Sequence, residues 1–293
     1  MKITLYLMTL KGYEVLRSIL ENGLQQVVQK IIIGRDKNVI NDYSKDIEIL
    51  CIENKIEYFF NNDDNYKVKT DYAIAISWRW LIDSKNLKLI VLHDSILPKY
   101  RGFSPLVNML INGEKKIGVT ALFASQEFDK GPIIKQKELN IEYPLKIEKA
   151  IKDISILYSN MVNEILRDLL INKDIKSNPQ NEINASYSIW RDQEDYFIDW
   201  KFSASKICRF IDAVGYPFEG AKCIIDGKVV KIIDCENFED LKIENRDVGK
   251  ILFFKNEFPV VVCGTGLIKI TNAVYESSGE SIFPIKKYRT RFR

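Results

Sequence analysis

LKLIVLHDSILPKYRG, residues 87–102, joins a short apolar run to a lone histidine and then to a proline and a Tyr-Arg-Gly loop. Leu87–Leu92 shows no polar alternation, so it reads as a strand buried on both faces in a parallel sheet. The residues upstream agree. Ile3–Met8 is an apolar strand, Tyr13–Leu20 places Val15, Leu16, Ile19 and Leu20 on one helical face, Gly23 ends that helix, and Val27–Ile33 is a second strand. This opening βαβ unit is followed by a polar NNDDN loop at 61–65 and a strand at Tyr72–Ser77. Downstream, Pro105–Ile111 is a helix closed by Asn112-Gly113, and Ile117–Phe123 is a further strand. Ile147–Leu170 carries a sustained apolar stripe suited to packing across the sheet. The expected fold class is α/β, with a Rossmann-like parallel sheet.

The pattern changes after a polar run without periodicity, 172–186. Ser203 is a plausible cap for a helix with Ile207, Phe210, Ile211 and Val214 on one face. Strands then dominate: Ala221–Ile225 and Lys228–Ile233 flank an Asp226-Gly227 hairpin, and Ile251–Phe254, Val260–Cys263 and Leu267–Thr271 follow. The expected division is a first domain at 1–175, a linker at 176–186, and a small β-barrel domain at 187–293.

Composition narrows the function classes. The 43 Lys and Arg residues nearly balance 40 Asp and Glu, which argues against a broad nucleic-acid surface. No apolar run has the length of a membrane helix, and the start reads as a strand, so the expected location is the cytoplasm. Five cysteines without a Cys-x-x-Cys pair read as buried thiols, and no metal site is expected.

Candidate site residues cluster at strand ends. His93 is the only histidine, so any imidazole chemistry near neutral pH belongs to it; a structural histidine is the plain alternative. Thr9–Gly12 reads as a loop opening a helix, where free N–H groups and Lys11 suit a phosphate, or else as an ordinary turn. SWRWLI, 77–82, combines Trp78, Arg79 and Trp80, suited to stacking on a flat ring and pairing with an anion. The plain alternative is that both tryptophans are core.

HDSILPKYRG, continued by SPLVNMLINGEKKIGVTALFASQEFDKGPII, resembles the signature of the formyltransferases that use 10-formyltetrahydrofolate. That signature is Asn-x-His-x-Ser-Leu-Leu-Pro, an Arg-Gly, a short helix, an Asn-Gly turn, a Gly-Val-Thr strand and an Asp-x-Gly loop. His93, Ser95, Leu97, Pro98, Gly102, Asn112-Gly113, Gly118–Thr120, Asp129 and Gly131 stand in register. The family asparagine two residues before the histidine is here Val91. The second half is similar to the OB-like C-terminal domain of methionyl-tRNA formyltransferases and sugar N-formyltransferases. The likeness there includes Tyr187 with Arg191, Ile198-Asp199-Trp200, and Pro217 with Gly220-Ala221.

The resemblance implies acyl transfer from a tertiary formamide to an amine. One task is to stabilise a tetrahedral oxyanion, worth about 3 kcal/mol per well-placed donor; the other is to move a proton, worth roughly 10²- to 10⁴-fold. It assigns those tasks to His93, with Asp129 orienting its ring. Val91 has no polar atom, so Asn108 or an ordered water is the expected substitute donor. For the folate, the resemblance implies Arg79, Trp80 and Leu81 after the strand at Tyr72–Ser77, with Ser95, Ser125, Glu127 and Phe128. Lys11, Trp78, Lys99, Tyr100, Arg101, Tyr187 and Trp190 are the candidates for the acceptor. The wording resembles the sugar N-formyltransferases, and among them the branch acting on a UDP-linked 4-amino-4,6-dideoxy sugar for bacterial surface glycans. The expected partners are thus folate and a nucleotide-linked amino sugar, without membrane or nucleic acid, and a homodimer is left open. A methionyl-tRNA formyltransferase and a non-catalytic binding protein are the alternatives.

Overall fold

The computed structural model describes residues 2–63, 68–171 and 173–293. In chain order the elements are β1 (Ile3–Leu7), α1 (Thr9–Glu21), β2 (Val28–Ile33), α2 (Ser44–Glu53), β3 (Glu57–Phe60), β4 (Tyr72–Ile76), β5 (Lys88–His93), β6 (Arg101–Gly102) and α3 (Pro105–Asn112). They continue with β7 (Lys116–Phe123), β8 (Ile133–Asn140), α4 (Ile147–Leu170), β9 (Tyr187–Ser188), α5 (Ala204–Val214), β10 (Ala221–Ile225), β11 (Lys228–Phe238), β12 (Ile251–Lys255), β13 (Phe258–Val262) and β14 (Leu267–Tyr275). The chain divides into two units. One comprises Met1–Leu106, Lys116–Ile141 and Lys149–Ile189, and the other Val107–Lys115, Glu142–Glu148 and Trp190–Arg293.

The first unit is built on a seven-stranded sheet of order β3-β2-β1-β4-β5-β7-β8. The strands from β3 to β5 are parallel, whereas β7 runs antiparallel to β5 and β8 antiparallel to β7. The sheet is therefore parallel-dominated and not wholly parallel. Strand order reverses between β1 and β4, which opens the crevice where doubly wound sheets hold ligands, beyond the carboxyl ends of their strands. One face buries Tyr6, Ile32, Ala73, Ala75 and Leu89, with Trp78 and Val91 packed against them. α4 buries the stripe anticipated for it, from Ile147 through Ile154, Tyr158 and Leu166 to Leu169.

Five elements were not anticipated: α2, β3, β8 and the two-residue strands β6 and β9. α2 and β3 are short, and β8 shows a half-exposed face that blurs its alternation. α1 also begins earlier than expected, at Thr9, so Thr9–Gly12 is helix and not a loop. Asn61 and Asn62 form a turn after β3; residues 64 and 65 of the expected NNDDN loop lie outside the described residues, as does Asn172 at the start of the expected polar run. Residues 176–186, read from the sequence as a linker, belong to the first unit, where Ile133 and Asn178 exchange backbone hydrogen bonds of 2.7 and 2.8 Å.

The second unit contains a five-stranded antiparallel sheet of order β10-β11-β14-β13-β12. Its edges are joined by the chain's last residues. Ile224 and Arg293 exchange backbone hydrogen bonds of 2.7 and 3.0 Å, and Phe292 N donates to Gly249 O at 2.8 Å just ahead of β12. Ser203 caps α5 as its sequence suggests, Oγ accepting from Lys206 N at 3.3 Å. The expected buried thiols are three: Cys51, Cys223 and Cys263 are enclosed, while Cys208 and Cys235 are half-buried with sulfurs 3.1 Å apart. Among the described residues no helix is long and apolar enough to cross a membrane.

Candidate active site

β5 ends at His93, and the strand's two-residue period places Leu89, Val91 and His93 toward one face. Val91 presents only methyl groups to the cluster that holds Ala75 and Trp78. The His93 side chain is only 8% exposed, and each ring nitrogen faces an acceptor. Nε2 lies 2.8 Å from the Tyr100 carbonyl oxygen, which can only accept, so Nε2 carries the proton of the neutral ring. Nδ1 lies 3.5 Å from Asp129 Oδ1, too far for a good hydrogen bond and close enough for the carboxylate to balance a charge formed on the ring.

The loop from Asp94 to Gly102 is held from within. Ser95, fully buried, donates from Oγ to Lys99 O at 2.6 Å, and Thr120 Oγ1 donates to Ser95 O at 2.7 Å while accepting from Leu97 N at 3.1 Å. Gln136 Nε2 donates to Leu97 O at 2.8 Å. β6 then pairs with β9, Arg101 opposite Tyr187 and Gly102 opposite Ser188. Gly102 has φ +99°, and a Cβ there would stand 2.4 Å from Ser188 O, so only glycine fits. Its amide donates to Asp129 Oδ2 at 2.8 Å, which ties the two signature loops together.

Asp129 sits in the left-handed region, φ +56°, two residues before Gly131, where a Cβ would lie 1.7 Å from Phe123 O. Gln180 closes this turn from outside, donating from Nε2 to Asp129 O at 2.7 Å and to Gly131 O at 2.8 Å. Its Oε1 accepts from Arg101 Nε at 3.1 Å and Nη2 at 2.7 Å. Glu182 accepts from the two terminal nitrogens at 2.8 and 2.7 Å, and Tyr187 Oη accepts from Nη1 at 3.4 Å. Arg101 is fully buried, and its hydrogen bonds to Glu182 hold its pKa above the ordinary value. It is therefore a scaffold group, not the exposed ligand residue its loop position suggested.

Past β4, Ser77 has φ +55°, and Trp78 stacks edge-on against Tyr6 and Trp80 with centroids 4.9 and 5.0 Å apart. Trp80 is 43% exposed and Leu81 85%. Arg79 Nη2 pairs with the buried carboxylate of Asp36 at 2.5 Å. Ser77 Oγ, Trp78 Nε1 and, at the start of α1, Thr9 Oγ1 are buried polar atoms without a hydrogen-bond partner among the described residues. β1 and β4 end side by side here, Leu7 pairing with Ile76 and Met8 N donating to Ile76 O at 3.2 Å. Buried polar groups are ordinarily satisfied, so each of these three atoms is open to a polar partner.

Residues 64–155 match the formyl transferase family, and residues 191–283 match the formyl transferase C-terminal domain. The chain belongs to the formyltransferase family. It is 30% identical over 265 residues to the methionyl-tRNA formyltransferase of Thermodesulfovibrio yellowstonii, covering 87% of this chain and 83% of that protein. Among solved structures it is similar to WlaRD, a sugar 3N-formyl transferase crystallised with dTDP and 5-N-formyl-THF, with TM-score 0.70 at 20% identity over 92% of this chain and 97% of that one. It is similar also to the N-formyltransferase of Helicobacter canadensis bound to folinic acid and dTDP-3-aminofucose, with TM-score 0.68 at 18% identity over 92% and 99% of the two chains.

In this formyltransferase the remaining anticipated residues are dispersed. Ser125, Glu127 and Phe128 lie on the exposed turn between β7 and β8, Ser125 Oγ donating to Glu127 O at 2.7 Å. Tyr100 gives its carbonyl to His93, Lys99 and Tyr187 are exposed, and Trp190 is an exposed residue of the second unit. Asn108 also belongs to the second unit, where its Oδ1 accepts from Arg191 Nη2 at 2.8 Å; Arg191 has the use of that amide oxygen. Lys11 is turned to Asp94, with which it forms an ion pair, so the predicted phosphate contact is occupied by a carboxylate of the chain itself. Among the described residues no group of His, Cys, Asp or Glu could hold a metal ion. Asp94 and Gln180 escaped the sequence reading. Asp94 stands one residue past the end of β5, and only its place next to His93 could have flagged it.

Proposed function

We propose that this formyltransferase moves a formyl group from 10-formyltetrahydrofolate to the amine of a nucleotide-linked amino sugar. The observation that carries the reading is the pairing of the His93 ring with Asp129, 3.5 Å apart beside the carboxyl ends of the parallel strands. That pair suits proton removal from an attacking amine: Nδ1 takes the proton, the Tyr100 carbonyl holds the Nε2–H, and Asp129 balances the imidazolium charge. The buried orphans Ser77 Oγ and Trp78 Nε1 and the exposed edge of Trp80 fit a flat, polar heterocycle, and we assign the pterin of the folate to them. Arg79, held by Asp36, would meet its anionic tail. The folate supplies the formyl carbon; its formyl C–N bond breaks as the new amide forms, and the proton held on His93 passes to the departing folate nitrogen. Val91 carries no donor for the oxyanion, and we assign that task to an ordered water or to the protonated ring itself.

The sugar acceptor is supported by the extent of the likeness to the two sugar formyltransferases, which spans nearly all of both chains, and by the small charge excess of 43 basic over 40 acidic residues. A second reading, formylation of methionyl-tRNA, is favoured by the 30% identity to a methionyl-tRNA formyltransferase. Competition separates them. Nucleotide-linked amino sugars should consume 10-formyltetrahydrofolate with kcat lowered at least about 10²-fold in His93→Asn. Turnover only with initiator tRNA, steeply suppressed by salt, would establish the second reading instead.

A further inference from the structure

Asp94 follows His93 directly, one residue past the end of β5, and its side chain turns to two helices. There its carboxylate accepts from Lys11 Nζ, from α1, and from Tyr158 Oη, from α4. Tyr158 also donates to the backbone carbonyl of Leu92 at 3.2 Å, and the Lys11 ammonium lies 5.7 Å from the centre of the Tyr158 ring. Two helices that flank the sheet thus grip residues 92 and 94, the immediate neighbours of the histidine. On its own face His93 has one formed hydrogen bond, to Tyr100 O, and a long approach to Asp129. Its ring position therefore depends on how firmly the backbone beneath it is held.

We propose that Lys11, Asp94 and Tyr158 form a positioning clamp that sets the His93 ring against Asp129. Asp94 is the keystone, and the three are positioning residues, since none needs to touch substrate. Electrostatics agree with a charged, fully engaged carboxylate. Burial raises the Asp94 pKa, but the charge of Lys11 and the hydrogen bonds from Lys11 and Tyr158 outweigh it, with a smaller contribution from His93, and the net shift is downward. Burial, followed by the Asp94 charge, pushes Tyr158 well above its ordinary value and keeps it a donor; Asp129 adds to that shift. Lys11 in this arrangement is withdrawn from ligand binding, which gives the clamp a consequence for kinetics.

The clamp bears on catalysis through the formyl-transfer reading, but one readout is independent of it. The chain has a single histidine, so in untagged protein labelled with ¹⁵N-histidine the imidazole signals come from His93 alone. Wild type should give one set with the Nε2 proton bound. Asp94→Asn and Lys11→Met should broaden or split that set, and the double variant should be no worse than either single one, because they break one unit. In the transfer assay kcat should fall about 10²-fold in each, the cost of a displacement on the order of 1 Å, with KM for both substrates within about two-fold. Lys11→Arg should restore most of the loss.

A raised acceptor KM at unchanged kcat for Lys11→Met would make Lys11 a ligand residue and overturn the clamp. So would unaltered imidazole signals and kcat in folded Asp94→Asn, which would leave the network a purely structural ion pair. If wild type transfers to no acceptor, the functional reading fails while the imidazole spectra still decide the clamp.

Discussion

Replacing Gln180 with alanine removes four hydrogen bonds at once and leaves a cation short of partners inside the protein. Arg101 is completely buried; Gln180 Oε1 is the partner of its Nε, and Glu182 retains both terminal nitrogens. An orphaned donor on a buried guanidinium costs about 1–3 kcal/mol, and releasing the Asp129 and Gly131 carbonyls adds about 1 kcal/mol, partly relieved by water entering the space left. The expected loss is about 2–4 kcal/mol of local stability. Gln180→Glu is the control: it offers Arg101 a carboxylate but turns oxygen against the two carbonyls, so it should recover little. Hydrogen exchange at the Gly102 amide, which donates to Asp129 Oδ2, reads the effect where it occurs, and kcat should fall with it as Asp129 loses its seat. A change below about 0.5 kcal/mol in exchange free energy, with kcat intact, would refute the reasoning that residues 176–186 brace the site.

Gly102→Ala should be worse, because it adds left-handed strain of about 1–2 kcal/mol to a Cβ placed 2.4 Å from Ser188 O; loss of soluble or active protein is expected, and wild-type melting would contradict it. Acid should destabilise the fold through Asp94, held low as described, and Glu164, held low by hydrogen bonds from Lys135 and Lys137. With folded pKa values depressed, their contribution is present above the unfolded carboxylate range near ~4 and is lost as pH falls through the folded values, so Tm should be level from pH 7 to about 5 and drop below about 4. Equal Tm at pH 3 and pH 7 would count against this. Val91→Asn restores an amide on the strand face of His93 and should raise kcat about ten-fold while lowering Tm, since it puts a polar group against Trp78 and Ala75; a lower kcat would show that the oxyanion already has its donor.

The histidine, the Asp-x-Gly loop and the strands β1, β2, β4, β5 and β7 were legible because they rest on local pattern: apolar runs, a proline, glycines where the backbone has no room for Cβ. What the sequence hid is pairing at a distance. Lys11 and Arg101 read as ligand groups because a cation near a strand end suggests an anion, and nothing local reveals that their anions are Asp94, 83 residues on, and Glu182, 81 residues on. The polar run at 176–186 looked like a linker for the same reason: Gln180 and Glu182 are polar because they serve a buried arginine. β8 was missed because its exposed positions carry Gln136, Glu138 and Asn140 and its half-buried face includes Lys135 and Lys137, and its place is fixed by pairing with β7 along Lys116–Leu122.

Mass analysis of acceptors after incubation with 10-formyltetrahydrofolate tests the central claim most directly. UDP-, dTDP- and GDP-linked amino sugars and initiator methionyl-tRNA should be offered in parallel to wild type and to His93→Asn. The account predicts one added formyl group on a nucleotide-linked amino sugar with wild type and essentially none with the variant. Formyl transfer that survives His93→Asn, or transfer to the tRNA alone, would contradict it.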